Sequence, residues 1–384
     1  MNRTALVVGV TGMAGYHSAI ALRDKGFGVI GLARSKRYEL PGVDHVYADV
    51  LDPESLKAAL DGREITDLVF ATWQRQATEA ENCRVNGAML QNTLDVVCAS
   101  NQLTHATLVT GLKHYLGPFE AYASAPADTP FREEQGRLPF QNFYYEQEDI
   151  LFEAADRHSF TWSVHRPHTL IGYALGNAMN MGVTLAIYGS ICRETGEPFV
   201  FPGSPEQWNG VTDLTDARLL GRHVAWSTSE PAGRNEAFNT VNGDVFRWRQ
   251  MWPRVAAALG VEAAPYPGHP TPLQERMGHA DEVWTRVVAE HGLQDYAASD
   301  LASWWHTDAD LGRTVETFAD MGKSRSLGFL DYQDSAQSFR DLFTELRAER
   351  IIPDVDGPAG ADRQGADATA ALETSDSPDA EVSA

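Results

Sequence analysis

Thr4-Ala5-Leu6-Val7-Val8-Gly9-Val10-Thr11-Gly12-Met13-Ala14-Gly15 is the stretch that decides the architecture. Its first five residues are apolar or β-branched, as a buried strand requires. Three glycines follow at a Gly-x-x-Gly-x-x-Gly spacing, and a helical pattern that includes the apolar Ile20 and Leu22 continues to about Lys25. A strand, a glycine turn and a helix in that order form the context a dinucleotide fingerprint needs. The glycines let the backbone approach a pyrophosphate closely, and the helix N-terminus offers unpaired N–H groups and a favourable dipole.

Working outward, Gly28-Val29-Ile30-Gly31-Leu32-Ala33 reads as the second strand and ends in Arg34-Ser35-Lys36-Arg37, with no acid before Glu39. An acid at this point would hold the ribose hydroxyls of NAD, whereas an Arg accommodates a 2′-phosphate. NADPH is therefore the expected cofactor, with Arg34 as its main phosphate contact. A third strand is read over Val46-Tyr47-Ala48-Asp49-Val50, with Asp49 and Val50 flanking the adenine. Asp52-Pro53-Glu54 opens a helix with an N-cap, a Pro in the first turn and an acid at the positive dipole end. Strand four is read over Asp67–Thr72, a helix over Asn82–Ser100, strand five over His105–Thr110, a helix over Asn142–Asp156 and strand six over Phe160–His165. This alternation predicts an α/β fold, a Rossmann-type doubly wound parallel sheet with a smaller, mainly helical C-terminal substrate lobe. The expected division places the Rossmann core at about 1–172 plus 234–245 and the lobe at about 173–233 and 246–353, in one catalytic unit spanning 1–353.

A catalytic-looking tyrosine lacks its usual lysine. Short-chain dehydrogenases carry Tyr-x-x-x-Lys, but in Asn142-Phe143-Tyr144-Tyr145-Glu146-Gln147-Glu148-Asp149 the residue four beyond Tyr144 is Glu148 and four beyond Tyr145 is Asp149. Neither can serve as a cation beside a phenol. Lys113, in Thr110-Gly111-Leu112-Lys113-His114-Tyr115-Leu116-Gly117-Pro118-Phe119-Glu120, follows strand five, where open parallel sheets bind their ligands. If Lys113 is the cation, it is expected to lower the phenol's pKa from another loop.

These segments, with Thr161-Trp162-Ser163-Val164-His165-Arg166-Pro167, Asn235–Asn239, Asn242–Phe246 and the closing Ile351-Ile352-Pro353, resemble the progesterone 5β-reductase and iridoid synthase-like (PRISE) enzymes over residues 4–353. The resemblance implies an extended short-chain dehydrogenase/reductase that reduces the C=C bond of an enone or enal with NADPH. It puts the catalytic pair on Lys113 and Tyr144 and aromatic pocket positions on Trp73 and Phe119. The expected cofactor set is Gly9, Thr11, Gly12, Met13, Ala14, Gly15, Arg34, Ser35, Asp49, Val50, Thr72, Thr110, Gly111, Lys113, Tyr144, Arg166 and Pro167. The chain departs from the family at His168-Thr169, where Gly-Asn is usual, and at His306 after Trp304-Trp305, where an aromatic is common. Both histidines are expected at the substrate pocket. The rival readings are carbonyl reduction by the same pair and, from another class, a non-catalytic NADP-sensing regulator of the NmrA type, which lacks that pair.

The 384 residues are 43% hydrophobic, enough for a large core, and 53 acidic residues against 31 basic give a formal charge of −22. That balance argues against nucleic acid and anionic membrane surfaces as partners. A small-molecule enone or carbonyl substrate is expected, and a homodimer is compatible. Three cysteines without metal or disulfide spacing, and no apolar run of membrane length, fit a reducing cytoplasmic setting without a metal. Residues 354–384 hold eight acids, one Arg and no aromatic. Such a segment cannot bury enough apolar surface to offset its ordering entropy and is expected to be disordered. A chain ending near Asp356 should keep its melting temperature and specific activity; a large loss in either measurement would show that the tail docks.

Overall fold

The computed structural model describes residues 3–36, 38–118, 128–176 and 179–355. Phe119 and the tail from Asp356 onward, both subjects of expectations above, lie outside the described residues.

Seven parallel strands form one sheet, and six of them come in the order they are read from the chain: β1 (Thr4–Val8), β2 (Gly28–Ala33), β3 (Asp44–Tyr47), β4 (Asp67–Phe70), β5 (His105–Val109) and β6 (Thr161–Pro167). With β7 (Leu170–Ile171) and β8 (Thr215–Asp216) forming a separate small pair, β9 (Glu236–Thr240) closes the large sheet in the order β3-β2-β1-β4-β5-β6-β9. Reversal of the strand order beside β1 opens a crevice at the carboxyl ends, where α/β sheets hold their ligands. Helices cover both faces: α1 (Met13–Asp24), α2 (Pro53–Leu60), α3 (Glu79–Cys98), the short α4 (Lys113–Leu116) and α5 (Phe143–His158).

The third strand ends at Tyr47, earlier than expected, because Asp49 turns the chain: its Oδ1 accepts from the Leu51 N–H at 2.9 Å. Helix α3 starts earlier than the expected Asn82. Thr78 caps it by accepting from the Glu81 N–H at 3.2 Å, and Glu79 and Glu81 lie at its positive end. Asp52 caps α2 as the sequence indicates.

One sheet face packs α3 and α5 through Leu90, Leu94 and Leu151. The other packs α1 together with a helix over Ala217–Ser229, whose Leu220 and Val224 join Ala5, Val7 and Leu22. This helix falls in a stretch expected to build the substrate lobe. Its approach to α1 is close enough that a Cβ on Gly221 would lie 2.3 Å from the His17 carbonyl oxygen. A second apolar core, drawn from residues 171–352, centres on α6 (Met181–Thr195) and on Trp252, Trp284 and Phe199, with Phe199 stacked on Trp252 at 4.2 Å. All three cysteines are buried free thiols. Among the described residues no helix is long and apolar enough to cross a membrane.

Candidate active site

The glycine turn is built for close contact. Gly9 has φ +85°, a conformation that favours glycine, and a Cβ there would meet the Ala71 carbonyl oxygen at 2.8 Å. A Cβ on Gly15 would lie 2.2 Å from the Gly9 oxygen, so Gly15 serves the packing of α1 on the turn. Gly12 is the N-cap of α1, and the first N–H groups of that helix have no partner within it.

Beyond the strand ends runs a groove of about 360 Å³, lined by Gly9, Thr11, Gly12, Arg34, Ser35, Asp49, Val50 and Thr72, and also by Gln74, Arg75, Met89, Met179 and Trp305. Arg75, which the sequence reading missed, stacks its guanidinium over the Trp305 ring at 4.1 Å. The groove joins the glycine turn to the exposed Arg34 beyond β2, the backbone cradle and the cation that an anionic dinucleotide calls for.

The groove continues, through Gly12, Ala71, Thr72, Trp73 and Met179, into a cavity of about 190 Å³. Its walls include Met13, Ala14, Thr110, Gly111, Lys113, Tyr144 and Pro167, together with His168, Thr169, His306, Asp310 and Arg313. A larger open cavity of about 1080 Å³, lined by Tyr16, Tyr38, Tyr173, Glu345 and Glu349, adjoins the groove at Gly176 and Trp305 but contains neither the glycine turn nor the Lys113–Tyr144 pair.

Two helix starts bring that pair into one cavity. Asn142 caps α5 by accepting from the Tyr144 N–H at 3.0 Å, and its Nδ2 donates to the Lys113 carbonyl at 2.8 Å. The Tyr144 hydroxyl lies over Gly111, where a Cβ would sit 3.3 Å from it. Lys113 is buried, its Nζ 5.0 Å from the Phe143 ring centre and 5.5 Å from that of Trp73, and Trp73 stacks on Phe143 at 5.3 Å. The adjacent Tyr145 is committed elsewhere. Its hydroxyl donates to the His114 carbonyl at 2.5 Å and accepts from the Leu138 N–H at 3.1 Å.

The electrostatics differ from expectation in one respect. Burial, then the Glu79 carboxylate, pushes the Tyr144 phenol above its ordinary pKa, so the protein by itself does not produce the lowering foreseen from Lys113. Tyr144 is accordingly a neutral O–H donor rather than a phenolate.

Arg166, expected at the cofactor, instead sends its guanidinium to Glu148 at 3.2 Å and to the Tyr115 hydroxyl at 3.3 Å. Glu148, at the position where Tyr-x-x-x-Lys has its lysine, is buried against Arg166, Arg137 at 3.0 Å and His114 at 3.4 Å. Burial alone would raise its pKa, but the His114 and arginine contacts prevail and hold it at about 2. His168 lines the cavity with both ring nitrogens occupied: Nδ1 contacts Asp213 at 2.5 Å, and Nε2 faces the Arg313 guanidinium at 2.7 Å. Because a guanidinium only donates, Nε2 accepts and Nδ1 carries the proton.

A family model described as a PRISE-like Rossmann-fold domain matches residues 47–353. The chain is 40% identical over 362 residues to an (S)-8-oxocitronellyl enol synthase of Nepeta racemosa, covering 91% of this chain and 93% of that protein. It is 37% identical over 362 residues to a 3-oxo-Delta(4,5)-steroid 5-beta-reductase of Arabidopsis thaliana, with the same two coverages. Among solved structures, a UDP-glucose 4-epimerase from Thermotoga maritima superposes with a TM-score of 0.65 at 13% identity, covering 90% of this chain and 99% of that one. The NAD⁺ complex of a Bordetella bronchiseptica enzyme, WbmH, gives 0.61 at 12%. At such identities the structural likeness speaks for the shared fold.

Proposed function

The chain belongs to the PRISE-like Rossmann-fold family, and on that premise we propose that it is an NADPH-dependent oxidoreductase that reduces the C=C bond of a small activated enone or enal. The observation that carries this reading is the meeting of Lys113 and Tyr144, from separate helix starts, in a cavity continuous with the dinucleotide groove.

The nicotinamide cofactor, when bound, supplies a hydride to the substrate's β-carbon. The protein's own groups handle the charge that results. As the hydride adds, the C=C electron pair shifts and negative charge develops on the carbonyl oxygen as an enolate, which becomes the saturated carbonyl when its α-carbon takes a proton from water. The Tyr144 hydroxyl donates a hydrogen bond to that oxygen, and the Lys113 ammonium, enclosed by Trp73 and Phe143, adds a positive field in a low-dielectric site. A phenol with a raised pKa suits this role, because it remains protonated and available to donate. Gly9, Gly12, Met13 and Ala14 would hold the pyrophosphate region, and Arg34 the 2′-phosphate.

The test is NADPH consumption against a panel of small enones, enals and steroid enones with the products identified. A saturated aldehyde or ketone supports the reading, whereas an allylic alcohol would assign carbonyl reduction. Cofactor choice is tested separately. Arg34→Ala should weaken NADPH binding by about tenfold or more, the worth of one good charge-assisted contact, and leave NADH binding nearly unchanged. An unchanged ratio of the two dissociation constants would refute the assignment of Arg34.

A further inference from the structure

His168, Thr169 and His306 meet at the reactive cavity, held together by Arg313 and Asp310. Arg313 is buried: one guanidinium nitrogen lies 2.7 Å from His168 Nε2, and another is 3.2 Å from Thr169 Oγ1 and 3.1 Å from Asp310 Oδ1. Thr169 Oγ1 donates to Asp310 Oδ2 at 2.9 Å. His306 and Asp310 sit at i and i+4 on the helix Trp304–Leu311, hence on one face. His306 Nε2 faces Asp310 Oδ2 across 4.0 Å, too far for a direct hydrogen bond. Among the described residues its Nδ1, buried on a residue 8% exposed, has no hydrogen-bond partner.

These facts determine the tautomer. A buried orphan is tolerated better as a lone pair than as an N–H, and the carboxylate draws an N–H toward itself. Burial keeps His306 neutral, and although burial opposes it, the Arg313 guanidinium and the Thr169 hydroxyl hold Asp310 ionised. Nε2 therefore carries the hydrogen, and Asp310 Oδ2, already accepting once from Thr169, has a lone pair left. A 4.0 Å gap between an N–H donor and a carboxylate acceptor is the span that a single hydroxyl oxygen bridges, accepting from one and donating to the other at about 2.7–2.9 Å each.

We infer that His306 and Asp310 form a hydroxyl-binding subsite in the reactive cavity, so that the preferred substrate is a small enone or enal carrying a hydroxyl group at its far end. The inference rests on the enone-reductase reading and adds the second functional group of the substrate. An ether oxygen could accept from His306 but offers nothing to Asp310, and a hydrocarbon end would leave both groups unpaired in a buried site.

The experiment is a matched series of small enals, one with a terminal hydroxyl, its O-methyl ether and its deoxy parent, each assayed with NADPH. Wild-type kcat/KM should be about 10- to 100-fold higher for the hydroxyl compound than for the other two, the worth of one or two hydrogen bonds at a buried site. His306→Leu should bring that ratio to about one, with thermal unfolding and NADPH binding showing that the variant is folded. Equal turnover of all three compounds by the wild type overturns the subsite while leaving enone reduction standing, and so does a ratio that survives in His306→Leu. Reduction of none of them, nor of any other enone, removes the reading on which the subsite rests.

Discussion

Tyr144→Phe is expected to lower enone turnover on the order of 10²–10³-fold, the usual effect of removing one donor from a developing oxyanion, while folding and NADPH affinity survive because the ring and its packing on Phe143 remain. Lys113→Ala should also reduce turnover. Since both groups act on the same charge, the double variant should be little worse than the poorer single one. Tyr145→Phe is the internal control. Its hydroxyl donates to the His114 carbonyl and accepts from the Leu138 N–H, away from the reactive cavity, so its loss should cost roughly 1–2 kcal/mol of stability and little in kcat. The raised pKa of Tyr144 gives a further expectation with a definite sign. A phenolate cannot donate, but burial moves ionisation above the ordinary tyrosine range, so the donor should persist through alkaline pH and kcat should show no loss attributable to phenol ionisation below about pH 10. If Tyr145→Phe abolishes turnover and Tyr144→Phe does not, the wrong tyrosine has been assigned. If neither changes it, the donor model fails.

How much of this could be read from the chain depends on whether the signal was local. The glycine turn, the strand ends and the Asp52 cap are short-range chemistry, and Gly9, Gly12, Arg34, Asp49 and Thr72 all line the groove as that chemistry implies. The meeting of Lys113 with Tyr144 was legible only through the family motif, since nothing in either segment's own pattern brings α4 to α5; the tie is the Asn142 side chain reaching the Lys113 carbonyl. Arg166 misled because strand alternation places a side chain on one face or the other, and here it points to Glu148 rather than to the groove. Arg313 and Asp310 carried no local mark, being well over a hundred residues from the His168-Thr169 step they contact. The Ala217–Ser229 helix reads as part of an insertion in sequence order, yet Gly221 and Leu220 fit the α1 face of the sheet, a matter of shape that no periodicity reveals.

Glu148 provides the second large expected effect, because restoring the familiar Tyr-x-x-x-Lys pattern should destroy the protein rather than improve it. Glu148→Lys would place a buried cation among Arg166, Arg137 and His114. Removing one partner of a buried ion pair already costs about 3–5 kcal/mol, and reversing its charge costs more, against a typical total stability of roughly 5–15 kcal/mol. The Lys variant should therefore fail to accumulate as folded protein. The milder Glu148→Gln should fold with a clearly lowered melting temperature while keeping the Tyr144 and Lys113 positions, so its kcat at a permissive temperature should remain within a few-fold of wild type. The pH dependence follows from the sign of the shift. The folded carboxyl sits at about 2 against 4.5 for the free group, so its contribution is complete above about pH 4.5 and is lost as the pH falls toward 2. The stability difference between wild type and Glu148→Gln, measured by denaturant unfolding, should shrink across that window. A Lys113→Ala/Glu148→Lys double variant of normal stability and restored activity would show that the cation can work from either position.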